Sequence, residues 1–109
     1  MGFNEYQEEA ASTAVYQHGF YPFLGLSEEV GEFVGLAAKE ARGDDMLRRF
    51  GSSEGLRQAC VKEAGDVLWQ LAQCLTELGI SLQEVADANI KKVKDRQARG
   101  VLKGAGDDR

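Results

Sequence analysis

The chain holds a single proline, Pro22, and almost no alternation of β-branched with polar residues. Its apolar residues instead recur every three to four positions, in runs that end at glycines. That spacing puts side chains on one face of a helix and on both faces of a strand, so it specifies helices. Asn4 is placed to cap a first helix running to about His18, with Gly19 as its stop. Pro22 suits a first helical turn, where its missing N–H removes no bond. A second helix follows from Pro22 to Arg42, with Gly43 in the left-handed terminating role.

The connector GDDMLRRFGSS has room for a short helical turn. Ser52 or Ser53 caps a third helix continuing to Gly79. Ser81-Leu82-Gln83-Glu84 is a capping box, in which serine and glutamate satisfy each other's orphan amides, and it opens a fourth helix to about Ala98. Four helices with short connections predict an all-α, antiparallel four-helix bundle over residues 1–98. A glycine-rich tail, 99–109, follows.

At 109 residues the chain supports one core, small enough for partner subunits to matter. A formal charge of −5 argues against a nucleic-acid polymer as partner, so an acidic ligand must be met by local cations or by metal. No run approaches the roughly 18–20 apolar residues of a membrane span, and the N-terminus lacks a basic-then-apolar signal. Cys60 and Cys74 lie about 21 Å apart on one helix, too far to bridge. Free thiols suit a reducing compartment, and the expected location is cytoplasmic.

The acids admit two readings, a water-facing helix stripe or a site held together for chemistry. LSEEVGEFV places Glu28, Glu29 and Glu32 in an otherwise apolar segment, and KEAGDVLWQL adds Glu63 and Asp66. On a helical wheel, Leu26, Val30, Phe33, Val34 and Ala37 form the expected buried face of the second helix, with Glu29 at its margin. Glu63 points within the third helix's apolar stripe (Leu56, Cys60, Val67, Leu71, Cys74 and Leu78), and Asp66 borders it. A buried carboxylate must be paired, protonated or metal-bound. Lys39, Lys62 and Lys92 are candidate neutralisers. The alternative is a divalent cation between E-x-x-E and E-x-x-D, whose oxygen-only donors suit Mg²⁺ or Mn²⁺ rather than zinc.

On the fourth helix Asn89 lies amid Leu82, Val85, Ala86 and Val93, with Lys92 and Arg96 flanking the same side, placed to meet an anion. Metal-binding acids on two helices and these three residues on another compose a phosphate-and-Mg²⁺ site. Tyr16, Phe20, Phe23 and Trp69 could stack on a base, and His18 or Gln70 could read its edge, although core or surface positions explain each more simply. Trp69 sits opposite the third helix's stripe, which points to a subunit contact. Gly31 and Gly35, each costing a helix about 1 kcal/mol, suggest close approach by another helix. No G-x-x-x-x-G-K-[ST] phosphate loop is present.

E-E-x-x-E at Glu28, Glu29 and Glu32, E-x-x-D at Glu63 and Asp66 with its GDVLW, and N-x-x-K at Asn89 and Lys92 together resemble MazG-like nucleoside triphosphate pyrophosphohydrolases. The closing DRQARGVLKGAGDDR resembles a short, single-domain branch of that family. The likeness spans Leu24 to Arg109. It implies Mg²⁺ held by Glu29, Glu32, Glu63 and Asp66, and cleavage of a nucleoside triphosphate to monophosphate and pyrophosphate. It also implies a homodimer or homotetramer with active sites near a subunit interface. Glu28 would orient or deprotonate the attacking water. Lys92 and Arg96 would neutralise phosphate charge, Asn89 would bind a phosphate or position a ligand, and Arg99, Lys103 and Arg109 could close over the phosphates. A di-iron bundle would need Glu-x-x-His pairs that His18 does not form. An interaction module that kept the fold and lost activity is the remaining alternative.

Overall fold

The computed structural model describes residues 1–101, which form five helices and, among the described residues, no strand. They are α1 (Phe3–Ser12), α2 (Tyr21–Arg42), α3 (Met46–Phe50), α4 (Ser53–Leu78) and α5 (Leu82–Ala98). The all-α class is as the periodicity requires, and the connector does hold a short helix. Gly43 and Gly79 end α2 and α4 in the left-handed conformation, at φ 104° and 71°. Ser52 caps α4 by accepting from the amide of Gly55. Both halves of the Ser81–Glu84 capping box are formed.

Helix α1 departs from expectation. It follows Gly2 with no side-chain cap and stops at Ser12, well before His18. The Thr13 hydroxyl donates to the Ala10 carbonyl at 2.7 Å, and the indole N–H of Trp69 donates to Thr13 Oγ1 at 2.9 Å. Residues 14–20 then cross α4 irregularly, where the Tyr16 hydroxyl donates to Glu77 at 2.8 Å. The Tyr16 ring stacks on Tyr21 and meets Trp69 edge-on. Trp69 is thus half-buried, packed against Thr13 and Tyr16 of its own chain.

Helices α2 and α4 make the principal packing and run antiparallel, with Gly25 opposite Gln70 and Glu32 opposite Glu63. Close approach dictates which face of α2 turns inward. A Cβ on Gly25 would lie 2.6 Å from the Gln70 carboxamide, and Pro22 and Gly25 are the buried residues of α2. The apolar stripe expected to be buried is turned aside. Val30, Phe33 and Val34 are 40, 39 and 52 % exposed, Ala37 is exposed and Leu26 is half-buried.

Gln7 ties α1 to the α4–α5 turn. Its amide donates to Thr76 Oγ1 and the Ile80 carbonyl, and its Oε1 accepts from the amide of Leu82. Helix α5 packs mainly on α1. Leu82 is buried, but Val85 and Asn89 are exposed, so Asn89 does not lie within a buried stripe. The fully buried apolar residues are few: Ala10, Met46, Ala72, Cys74, Leu75 and Leu82.

Candidate metal centre

The site is built where α2 and α4 face each other. Glu29, Glu32 and Glu63 each place a carboxylate oxygen so that all three lie within 4.8 Å of one another. Glu29 and Glu63 are half-buried and Glu32 is exposed, so the group opens to solvent on one side. The i, i+3 spacing of Glu29 and Glu32 aims both across the groove, and Glu63 enters from the opposite helix. Asp66 lies outside this trio but close by, because its charge reaches Glu29.

The electrostatics are those of crowded anions. Burial first, and then the charges of Glu32 and Asp66, raise the Glu29 carboxyl above its ordinary value; a hydrogen bond with Glu32 and the charge of Glu28 add to this. One oxygen each of Glu29 and Glu63 is buried with no hydrogen-bond donor among the described residues. Neither Lys39 nor Lys62 forms an ion pair among the described residues, so these lysines do not neutralise the cluster. Orphaned anionic oxygens converging from two helices fit a hard divalent cation, whose charge would compensate them. Burial, and then the charge of Asp66, raise the hydroxyl pKa of Tyr6 on α1.

The polar side of α4 continues beyond the acids. Glu63, Asp66, Gln70, Gln73 and Glu77 recur at helical spacing along one side of the helix. Gln70 and Gln73 are 6 and 1 % exposed, and Gln70 Oε1 and Gln73 Nε2 have no hydrogen-bond partner among the described residues. Gln70, a candidate for reading a base edge, is instead buried against Gly25 of α2.

The remaining expected residues are dispersed. Glu28 is exposed, one position before Glu29. Asn89 and Lys92 are exposed on α5, whose packing partner is α1. Arg96, expected to face an anion, is 4 % exposed. Arg99 is engaged by Asp95 at 2.8 Å. Lys103 and Arg109 lie outside the described residues. Of the aromatic candidates, Tyr16 and Trp69 pack in the connector, while Phe20 and Phe23 are exposed and line, with His18 and Glu77, a shallow pocket of about 330 Å³. Cys60 and Cys74 are both free. No helix among the described residues is long and apolar enough to cross a membrane.

Residues 23–101 match the model of the MazG nucleotide pyrophosphohydrolase domain, a span containing every carboxylate of the cluster. The chain is also 32 % identical to the Gene 37 protein of Mycobacterium phage L5, over 95 % of its own length and 96 % of that protein's. No solved structure matches it significantly. The chain belongs to the MazG nucleotide pyrophosphohydrolase family.

Proposed function

We propose that the protein is a Mg²⁺-dependent pyrophosphohydrolase that splits nucleoside triphosphates between the α- and β-phosphates, releasing monophosphate and pyrophosphate. The observation that carries this is the pair of buried, donor-less carboxylate oxygens on Glu29 and Glu63, set beside Glu32 on the helices of the family domain. Glu29, Glu32, Glu63 and Asp66 would hold the cation, for which Mn²⁺ is a plausible substitute by donor chemistry. Bound there, it would offset phosphate charge and polarise the phosphorus centre. Glu28, exposed beside these ligands, would accept a proton from the attacking water.

The working form in this proposal is a homodimer or homotetramer. The chain exposes 7,815 Å², against about 6,000 Å² for a compact monomer of this mass. Its radius of gyration is 17.1 Å, against about 13 Å for a compact chain of this length. Val30, Phe33 and Val34 supply the apolar surface that a second copy would cover. Asn89 and Lys92 would then meet substrate phosphates from a neighbouring copy's α5. Buried Arg96 would support that helix, and Arg109 would join from the tail.

Incubation with each NTP and dNTP plus Mg²⁺, followed by resolution of the products, tests the reaction. Monophosphate and pyrophosphate are expected, and both should be lost in folded Glu63→Ala and Asp66→Ala proteins. Diphosphate with orthophosphate would refute cleavage at the α–β bond. Absence of turnover together with no thermal shift in Mg²⁺ would favour the interaction module.

A further inference from the structure

Where one chain keeps its own cations decides which part of a substrate it can hold unaided. The α5 cations sit on a helix that packs mainly on α1. A different group lies on α2 itself. At about 100° per residue, Glu28, Glu32, Gly35 and Lys39 fall within roughly 60° of one another, on one side of that helix. Lys39 is half-buried and forms no ion pair among the described residues. A Cβ on Gly35, between Glu32 and Lys39, would meet nothing within 4 Å, so the surface there is open.

Lys39 is also not isolated. Asp44 accepts a hydrogen bond from Arg42, which chiefly holds its carboxyl below the usual range; burial opposes this, and the charges of Arg42, Arg49 and Lys39 add to it. The charges of Lys39 and Arg49 thus reach an aspartate that Arg42 already occupies. Arg49 lies over the Phe50 ring at 5.6 Å and makes no ion pair among the described residues. Cations in a last turn also complement the helix dipole. Arg42 suffices for that, and the dipole does not explain an unpaired lysine beside a bare glycine surface.

We propose that Lys39, backed by Arg42 and Arg49, binds the terminal phosphate of a triphosphate whose α–β region lies at the carboxylates. Lys39 follows Glu32 by two turns, about 10 Å along the axis. The Lys39 side chain, tilted back toward the helix N-terminus as helical side chains are, shortens that gap toward the length of a triphosphate. The inference rests on the pyrophosphohydrolase reading and names the part of the substrate that this chain holds without help from α5.

Calorimetric titration of the full chain with inorganic tripolyphosphate in Mg²⁺ tests the site without requiring turnover. Lys39→Gln should weaken binding about ten-fold, the scale of one lost charge-assisted contact. Lys39→Arg should restore most of the affinity, and both variants should melt within a few degrees of the parent. A nucleoside monophosphate, lacking the terminal phosphate, should bind parent and Lys39→Gln alike. Absence of tripolyphosphate binding to the parent overturns the proposal, as does a Lys39→Gln protein that binds it unchanged. Equal weakening for tripolyphosphate and monophosphate also overturns it. A parent that binds tripolyphosphate through Lys39 yet splits no nucleotide keeps the anion site and overturns the hydrolase reading instead.

Discussion

Glu29 on α2 and Glu63 on α4 face each other across the helix pair, and each buries one carboxylate oxygen that has no hydrogen-bond donor among the described residues. Two such anions destabilise the metal-free fold, since a buried polar group without a partner costs about 1–3 kcal/mol. Glu63→Gln removes a charge and keeps the shape. Without metal it should therefore melt higher than the parent by roughly 5 °C, corresponding to about 1 kcal/mol for a domain of this size. In millimolar Mg²⁺ the order should reverse, because only the parent gains binding energy. Thermal melts in EDTA and in Mg²⁺ check this. A Glu63→Gln protein that is stabilised by Mg²⁺ as much as the parent would remove Glu63 from the ligand set.

The same crowding sets a pH dependence. The Glu29 carboxyl is raised from its ordinary value of 4.5, by burial and then by Glu32 and Asp66. The folded state thus binds a proton more readily than the unfolded one, and its charged form costs stability above that raised value. Metal-free protein should gain stability as pH falls from neutrality toward 4.5, while Mg²⁺ affinity falls over the same range because protons compete for the ligand. Melts in EDTA and magnesium titrations at about pH 7.5 and about pH 5.5 measure both. A metal-free melting temperature that drops on acidification in that window would contradict the account.

The association surface can be tested directly. The Val34 side chain is 52 % exposed on α2 and lines, with Phe33, Met46, Leu56 and Cys60, an open apolar cleft of about 560 Å³. A carboxylate placed there costs a lone chain little and an apolar interface several kcal/mol. Wild-type protein should sediment as a multiple of 11.9 kDa, and Val34→Glu should shift it toward a single chain while helical content is kept. A wild-type chain that sediments as one copy at high concentration would end the oligomer proposal.

The helices and the acid pattern were legible because both are local. The capping box at Ser81 and the glycine terminators at Gly43 and Gly79 need only neighbouring residues, and all three stand where spacing put them. The i, i+3 acids likewise share a face whatever surrounds them. The end of α1 was not legible. Ala14 and Tyr16 continue the helical period, and what halts the helix is Thr13 held by Trp69 from a distant helix. Nor can a wheel say which face meets the neighbour. It groups Val30, Phe33 and Val34 correctly and assigns them inward. The α2–α4 contact instead selects Gly25, because only a residue without a side chain admits the Gln70 amide.

That contact yields a contrast between glycines of one helix. A methyl group at Gly25 would lie 2.6 Å from three atoms of the Gln70 carboxamide, which is 6 % exposed and has little room to withdraw. Gly25→Ala should therefore lose about 1–3 kcal/mol through forced repacking, against any gain in helix propensity. At Gly31 the same methyl meets nothing within 4 Å, and its backbone is ordinary helix. Gly31→Ala should gain up to about 1 kcal/mol by propensity alone. Urea denaturation of the two variants, both without metal, separates them by sign. If Gly31→Ala also destabilises, a neighbouring copy must already occupy the space beside it, and repeating the melt on the Val34→Glu background should then restore the gain.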